Sequence, residues 1–446
     1  MSSRCLLILF AALFAPTTVA NDRKPNIVFI LADDLGYGDL ECYGHPRART
    51  PVINQLARDG VRFTQHYSNG TECSPTRTAF LTGRYQQRVK GLECAIGTGN
   101  VGRYDDAIAL AEQRNLGLSA DQTVIPGLLQ KQGYECAVFG KWHLGYEPHF
   151  NPVIHGWDQF FGYLGGNVHY FNHRETSDLH VLFDGVLPVH REGYMSSLIT
   201  KHCVRFIETQ AASDNPFFLY VSHECPHFPF LGPDDADKVV TRENWMEADE
   251  STYVAMLEDL DAQVGTLLQC LDRCGITQNT IVVFVSDNGG FAAAAHMGGL
   301  RGAKSTTFEG GIRVPLIIRW PGKIKQGVES AQSCLTFDLT RSFLEVAGAP
   351  IDGLKLDGDN ILQHIVNGRN DYDRTLFWRG RRGDKTWTAV RDGSKKLVRR
   401  TEAGQTEEWL FDLKTDAKEQ VGLLSVSDRT RLQEKLKSWE AEMDVR

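Results

Sequence analysis

The stretch Asn26-Ile27-Val28-Phe29-Ile30-Leu31, running into Ala32-Asp33-Asp34, decides the fold. Its apolar run shows no alternation with polar residues, as expected of a strand buried on both faces, and it stops on two carboxylates. Comparable runs recur at 135–139, 216–222 (PFFLYVS), 280–286 (TIVVFVS) and 314–320. Helical patterns lie between them. One opens at Thr50-Pro51, with Thr as N-cap and Pro in the first turn, and closes near Gly60; others cover 123–132, 197–210 and 252–270. Apolar strands alternating with helices predict an α/β fold: a mostly parallel central sheet with helices on both faces. The pattern changes after about residue 355. Short segments at 376–379, 386–391, 396–400 and 408–413, with turn signals such as Asp392-Gly393, predict a small antiparallel sheet, followed by a helix over 428–443.

The chain has 446 residues, 42% of them hydrophobic, and a net charge of −8. The composition is that of a globular protein, and the acidic balance argues against nucleic acid as a partner. Arg4, the apolar run 5–14 and the small residues ending at Ala20 read as a signal peptide over 1–20. Export is therefore expected, to a periplasm, the extracellular space or a lysosome-like lumen according to host. No later segment is long enough to predict a stable membrane anchor. Of the ten cysteines, Cys5 falls in that leader. Buried thiols are the simplest reading of Cys42, Cys94, Cys136, Cys203, Cys225, Cys270, Cys274 and Cys334; any pairing is not readable from spacing.

Unusual polar residues follow the strands. Asp33 and Asp34 follow the first, Lys141 and His143 the second, His223 and His227 the third, Asp287 and Asn288 the fourth. In open parallel sheets sites form outside the carboxyl ends of the strands, so these clusters converge on one edge. Each alone has a plainer reading, the acidic pairs as turns and a lone histidine, more often than not, as locally satisfied; together they predict a site. Asp33, Asp34, Asp287 and Asn288 are hard oxygen donors suited to calcium or magnesium rather than zinc. Lys141, His143, His227 and Lys304 add positive charge and proton transfer, a mixture suited to a tetrahedral oxyanion, sulfate or phosphate. Ser74 and Pro75 are expected to start a helix with Cys73 at its N-terminus, where free N–H groups favour an anion.

The segment 73–84, CSPTRTAFLTGR, resembles the type I sulfatase family, which carries C-x-P-x-R followed by Leu-Thr-Gly-Arg. The likeness continues through ADDLGYGDL at 32–40, GKWHLG at 140–145, PHFP at 226–229, SDNGG at 286–290 and RGAKSTTFEGGIRVP at 301–315, and covers nearly the whole mature chain. It implies an alkaline-phosphatase-like fold, with a catalytic domain over 21–355 and a C-terminal α+β subdomain over 356–446. It implies hydrolysis of sulfate esters, with sulfated carbohydrate as the expected substrate and aryl sulfates as artificial ones. It also implies that a separate maturation enzyme oxidises Cys73 to Cα-formylglycine, whose hydrate carries two hydroxyls, one to attack sulfur and one to expel sulfate. On this resemblance one Ca²⁺ is held by Asp33, Asp34, Asp287 and Asn288, with the modified Cys73 beside it. Arg77 and Lys141 orient the hydrate, His143 is the base of the second step, and His227 and Lys304 serve the sulfate and the leaving oxygen. His223 competes with His227, which stands in the family's His-x-Pro position.

There are two departures. Thr76 stands where serine is commoner, but it keeps the hydroxyl and changes nothing in the reading. The segment 161–170, FGYLGGNVHY, lacks a serine that animal relatives place on the sulfate, which makes Asn167 and His169 candidate substrate residues. The loops 91–119 and 168–190 are the expected rim. Two other readings remain: a phosphonate or phosphodiester hydrolase of the same superfamily, and a non-catalytic protein that binds sulfated glycans.

Overall fold

A computed structural model describes residues 23–97, 104–422 and 425–444; the expected signal peptide lies outside the described residues. The strands in chain order are β1 (Asn26–Ala32), β2 (Val61–Phe63), β3 (His66–Tyr67), β4 (Glu135–Lys141), β5 (Gln159–Tyr163), β6 (Leu182–Asp184), β7 (Leu187–Pro188) and β8 (Phe217–Ser222). They continue with β9 (Thr280–Ser286), β10 (Leu316–Arg319), β11 (Val328–Ser330), β12 (Cys334–Leu335), β13 (Thr375–Arg382), β14 (Lys385–Asp392), β15 (Lys395–Glu402) and β16 (Gln405–Asp412). A ten-stranded sheet has the order β11-β2-β10-β9-β1-β8-β4-β5-β6-β7. Its centre, β9-β1-β8-β4-β5, is parallel throughout. β10 runs antiparallel to β9, and β6 and β7 add an antiparallel edge.

β1 explains why its sequence does not alternate. Val28, Ile30 and Ala32 pack into one core with residues of the Met195–Ala211 and Glu250–Arg273 helices. Ile27, Phe29 and Leu31 pack into the other core with residues of the Cys73–Thr82, Ile125–Gln130 and Thr336–Val346 helices. Both faces are dry, so both sets of side chains are apolar. Phe29 and Phe80 stack with centroids 4.0 Å apart, which anchors the Cys73–Thr82 helix to the central strand. Truncating a buried phenylalanine to alanine typically costs about 3–5 kcal/mol.

β13 to β16 form a four-stranded antiparallel meander against which the Val426–Asp444 helix lays Leu432, Leu436, Trp439 and Met443. That core is not separate: Tyr67, Ala79, Tyr85 and Phe337 of the larger body belong to the same cluster. Cys42, Cys73, Cys136, Cys203, Cys225, Cys270, Cys274 and Cys334 carry free thiols.

Some expectations are corrected. The run at 314–320 yields only Leu316–Arg319, and its direction is antiparallel. Lys141 is the last residue of β4 rather than part of the following loop. Ser74 does not cap its helix. Glu72 is the N-cap residue, and the Ser74 hydroxyl donates instead to the His143 carbonyl at 2.9 Å. The segment 91–119 is not a bare loop: Leu92, Ile96 and Leu118 enter the core and Asp105–Glu112 is helical.

Candidate active site

The parallel strands β9, β1, β8, β4 and β5 all end on the same edge of the sheet, and their carboxyl ends deliver the polar residues as a single buried cluster. Asp33 and Asp34 leave β1, Asp287 and Asn288 leave β9, and His227 follows β8. Lys141 ends β4, with His143 two residues on. Cys73 begins the Cys73–Thr82 helix that points its N-terminus into this group. The Cys73 Sγ lies 3.2 Å from Asp33 Oδ1, 3.3 Å from Lys141 Nζ and 3.7 Å from Lys304 Nζ. Lys141 donates to Asp33 at 2.5 Å and Lys304 to Asp34 at 2.7 Å. Arg77, 1% exposed, gives Nε and a terminal nitrogen to Asp287 Oδ2 at 3.1 and 2.9 Å. Its other nitrogen is tied to Ser222 and to the Lys141 carbonyl, so the guanidinium plane is fixed.

Electrostatics follow from this burial. Burial and the charge of Asp33 push the Asp287 carboxyl up to about 6, against the pull of Arg77. Burial works the same way on Asp34, but Lys304, His227 and Lys141 outweigh it and hold the group well below the carboxylate range. Burial, with Asp287 and Asp33, raises the Cys73 thiol far above its ordinary value, so a plain thiol here stays protonated and is a poor nucleophile. Burial and the neighbouring Lys141 keep His143 neutral.

His143 Nε2 lies 2.6 Å from the Ile96 carbonyl, which accepts its hydrogen bond, while Nδ1 is buried with no partner among the described residues. The neutral ring therefore presents a free lone pair at Nδ1. Gly166 packs against this ring so closely that a Cβ there would meet Nε2 at 2.5 Å. His227 Nδ1 lies 2.7 Å from the Phe228 carbonyl; its Nε2 is 3.3 Å from Lys304 Nζ and 3.5 Å from Asp34 Oδ2. Asp34, His143 and Ser305 all hold φ between 58° and 72°. Such left-handed non-glycine residues cost of order 1–3 kcal/mol each and concentrate where function over-determines the backbone.

A donor set for a hard cation is present. The possible ligand atoms of Asp33, Asp34, Cys73 and His227 lie within 4.8 Å of one another. Asn288 donates to Asp34 at 2.7 Å, and its Oδ1 is buried without a hydrogen-bond partner. The Asp287 Oδ1 lies 3.2 Å from the Asp34 amide. Close carboxylates plus an orphaned amide oxygen suit a divalent cation with oxygen preference. His227 already faces Lys304, which makes it the weaker candidate of that cluster.

Above this floor opens a cavity of about 690 Å³. His143, His227 and Lys304 line it, with Phe228 and Phe291 on part of the wall and Tyr146, Asn167 and Glu175 on another. A profile of the sulfatase family matches residues 25–349, and a profile described as N-sulphoglucosamine sulphohydrolase, C-terminal, matches 303–445. The chain belongs to the sulfatase family. It is a sulfuric ester hydrolase of the alkaline phosphatase superfamily. N-acetylgalactosamine-6-sulfatase of Canis lupus familiaris is 33% identical over 412 residues, 88% of this chain and 74% of its own length. Human arylsulfatase A is 31% identical over 400 residues, 83% of this chain and 73% of its own length. A solved structure described as Ps i-CgsB in complex with k-i-k-neocarrahexaose superposes with a TM-score of 0.81 at 28% identity, covering 95% of this chain and 93% of that one. Phosphonate monoester hydrolase of Agrobacterium radiobacter shares the fold, with a TM-score of 0.66 at 20% identity and coverage of 94% of this chain and 96% of that one.

The residues expected from the sequence of this sulfatase mostly meet. Cys73, Arg77, Lys141, His143, His227, Lys304, Asp33, Asp34, Asp287 and Asn288 form one cluster, and Asn167 lines the cavity. His169 is not on the cavity wall. Its Nδ1 accepts from the amides of Phe171 and Asn172, and its ring lies 6.2 Å from Trp245, so it shapes a turn. His223 is fully buried and makes no ring hydrogen bond; it is not on the wall either. Glu72, Tyr146, Glu175 and Arg382 escaped the sequence reading. Glu72 and Tyr146 carry a signal, standing next to Cys73 and to the 140–145 motif, and Glu175 falls within the expected rim at 168–190.

Proposed function

We propose that this sulfatase hydrolyses sulfate esters of sugars, with Cys73 converted to formylglycine by a maturation enzyme and one calcium ion held by Asp33, Asp34, Asp287 and Asn288. The observation that carries the reading is the position of Cys73 Sγ, within 3.7 Å of two lysines, at a helix N-terminus beneath the cavity. A protonated thiol has no use there. An aldehyde hydrate supplies one hydroxyl to attack sulfur and a second whose deprotonation releases sulfate. Calcium, when bound, supplies Lewis-acid stabilisation of the sulfate oxygens.

The chain's own residues do the rest. Arg77, locked on Asp287, and Lys141, locked on Asp33, hold positive charge at residue 73. Asp287 is placed to take the proton of the attacking hydroxyl. Lys304 and His227, 3.3 Å apart at the cavity floor, bind the sulfate and protonate the departing oxygen. His143 takes the second proton at Nδ1, the ring atom without a partner. Three buried carboxylates face three cations, so the protein's own charge nearly cancels. A divalent ion is then matched by a singly charged sulfate ester plus a deprotonated hydroxyl. A phosphate monoester, close to two negative charges, leaves an excess.

A sugar is favoured by the cavity itself. Phe228 and Phe291, 5.5 Å between centroids, offer an apolar surface to ring C–H groups, while Asn167, Thr176 and Glu175 offer hydrogen bonds. A relative named for N-acetylgalactosamine and a similar structure that holds k-i-k-neocarrahexaose point the same way. We also infer export through the leader at 1–20; among the described residues no helix is long and apolar enough to cross a membrane. Release of inorganic sulfate from a panel of sulfated sugars and an aryl sulfate tests the reading. Equal or faster release of phosphate from the matched phosphate esters overturns it.

A further inference from the structure

Glu175 is a buried carboxylate on the cavity wall that the chemistry above does not use. It lies between β5 and β6, where the chain passes over the carboxyl ends of the parallel strands, and it is 6% exposed. Its Oε1 accepts from the Tyr146 hydroxyl at 2.7 Å and from the Gly166 amide at 3.2 Å. Among the described residues no lysine, arginine or histidine forms an ion pair with it within 4.0 Å. A buried carboxylate without a cation is costly, and here burial pushes it up to about 7. Tyr146, Glu175 and His143 line the same cavity, and Gly166, held by the first two, packs on the third. Next to Glu175, Thr176 donates to Asn167 Oδ1 at 3.2 Å, so this wall is a connected polar surface ending at the catalytic floor.

We propose that Glu175, oriented by Tyr146, is a specificity-determining residue whose carboxyl group accepts a hydrogen bond from a sugar hydroxyl adjacent to the sulfated position. The inference rests on the sulfate-ester reading of the same cavity. A hydroxyl is the fitting partner. A substrate cation would carry its charge to within reach of Lys304 and Lys141, whereas a hydroxyl adds one more hydrogen bond to a carboxylate already held by Tyr146, Gly166 and Ser177, without adding charge. A site built to bond a substrate hydroxyl discriminates strongly against the analogue that lacks it.

The test uses the whole protein and three probes: a methyl galactoside sulfated at a ring carbon, its counterpart deoxygenated at the neighbouring hydroxyl-bearing ring carbon, and an aryl sulfate. The wild type is expected to prefer the hydroxylated sugar over the deoxy sugar by about 10- to 100-fold in kcat/KM. Glu175→Gln is expected to erase most of that preference, and to lose at least about tenfold more on the hydroxylated sugar than on the aryl sulfate. Equal losses on all probes would make Glu175 a support for Gly166 and His143, and overturn the proposal. A wild type indifferent to the hydroxyl overturns it without any variant, should Glu175→Gln fail to fold. Sulfate release from the aryl ester in that case leaves the sulfate-ester reading standing. Absence of release from every ester by protein that carries the aldehyde at residue 73 fails that reading instead.

Discussion

Two fully buried lysines, Lys141 and Lys396, sit in ionic clusters that look alike on paper and differ in what they leave open. Lys141 contacts Asp33, and Lys396 contacts Glu309 at 2.7 Å and Glu419 at 2.9 Å. Around Lys396 the network is closed. Tyr67 and Arg313 also hold Glu309, Arg391 holds Tyr67, Glu419 Oε1 is spent on its ion pair with Lys396 although it has no hydrogen bond among the described residues, and none of these groups lines the cavity above Cys73. Around Lys141 the network is open. Among the described residues the Asn288 oxygen and the His143 Nδ1 have no partners, and the cavity lies directly above; left-handed backbone does not separate the clusters, since Glu419 shares it with Asp34 and His143. Burial of charge is therefore no mark of a site by itself. Unspent lone pairs beside a cavity are.

The largest effect is expected from metal removal. Chelation should abolish turnover and lower Tm, calcium should restore both, and zinc should not. A site half-saturated at one-hundredth of the ion concentration gains about 2.7 kcal/mol from binding. Full activity in chelator would close the open cluster and void its assignment.

Next come the bases and acids of the open cluster. His143→Ala should release alcohol in a burst ahead of sulfate, and Lys304→Ala should slow alcohol release itself without a burst. Each loss is expected at about 10²–10⁴-fold, heavier on sugar sulfates than on aryl sulfates for Lys304→Ala. Rapid-quench kinetics reads both, and the reverse pattern exchanges the two roles.

In the closed cluster the effect should appear in stability alone. Lys396→Met leaves Glu309 and Glu419 facing each other and should cost about 3–5 kcal/mol in denaturant unfolding, with kcat of the folded fraction kept. A fall in kcat at unchanged stability would show that the clusters communicate.

A smaller effect is expected where the C-terminal sheet touches the open cluster. Glu72, the residue before Cys73, accepts from Arg382 at 3.0 and 2.8 Å, from Ser305 at 2.7 Å and from the Ala95 amide at 2.7 Å. Glu72→Gln keeps the shape and weakens the charge-assisted bonds, each worth about 1.5–3 kcal/mol. A roughly tenfold fall in kcat, with KM for an aryl sulfate little changed, is the expected reading of steady-state kinetics.

What the sequence showed of this contrast was uneven. β1 and β9 were legible because a strand dry on both faces must be apolar throughout, and the polar residues just past their ends could only lie on the sheet edge. The reversed direction of β10 was not legible, since an apolar run carries no sign. Ser74 was misread as a cap because its hydroxyl finds the His143 carbonyl, a partner distant in sequence. Glu175 lies in a polar loop, His-Arg-Glu-Thr-Ser-Asp at 173–178, where nothing local tells a buried carboxylate from a solvated one. Lys395 and Lys396 are adjacent and identical in type, yet only Lys396 is buried, a distinction made by strand register alone.

The central claim is that Cys73 is not a cysteine in the working enzyme. Peptide mass spectrometry of the segment containing Cys73, on preparations of graded specific activity, tests it most directly. An aldehyde-bearing peptide is expected, its fraction rising in proportion to sulfate release, with none in the inactive Cys73→Ala protein. A fully active preparation carrying only the unmodified thiol would contradict it.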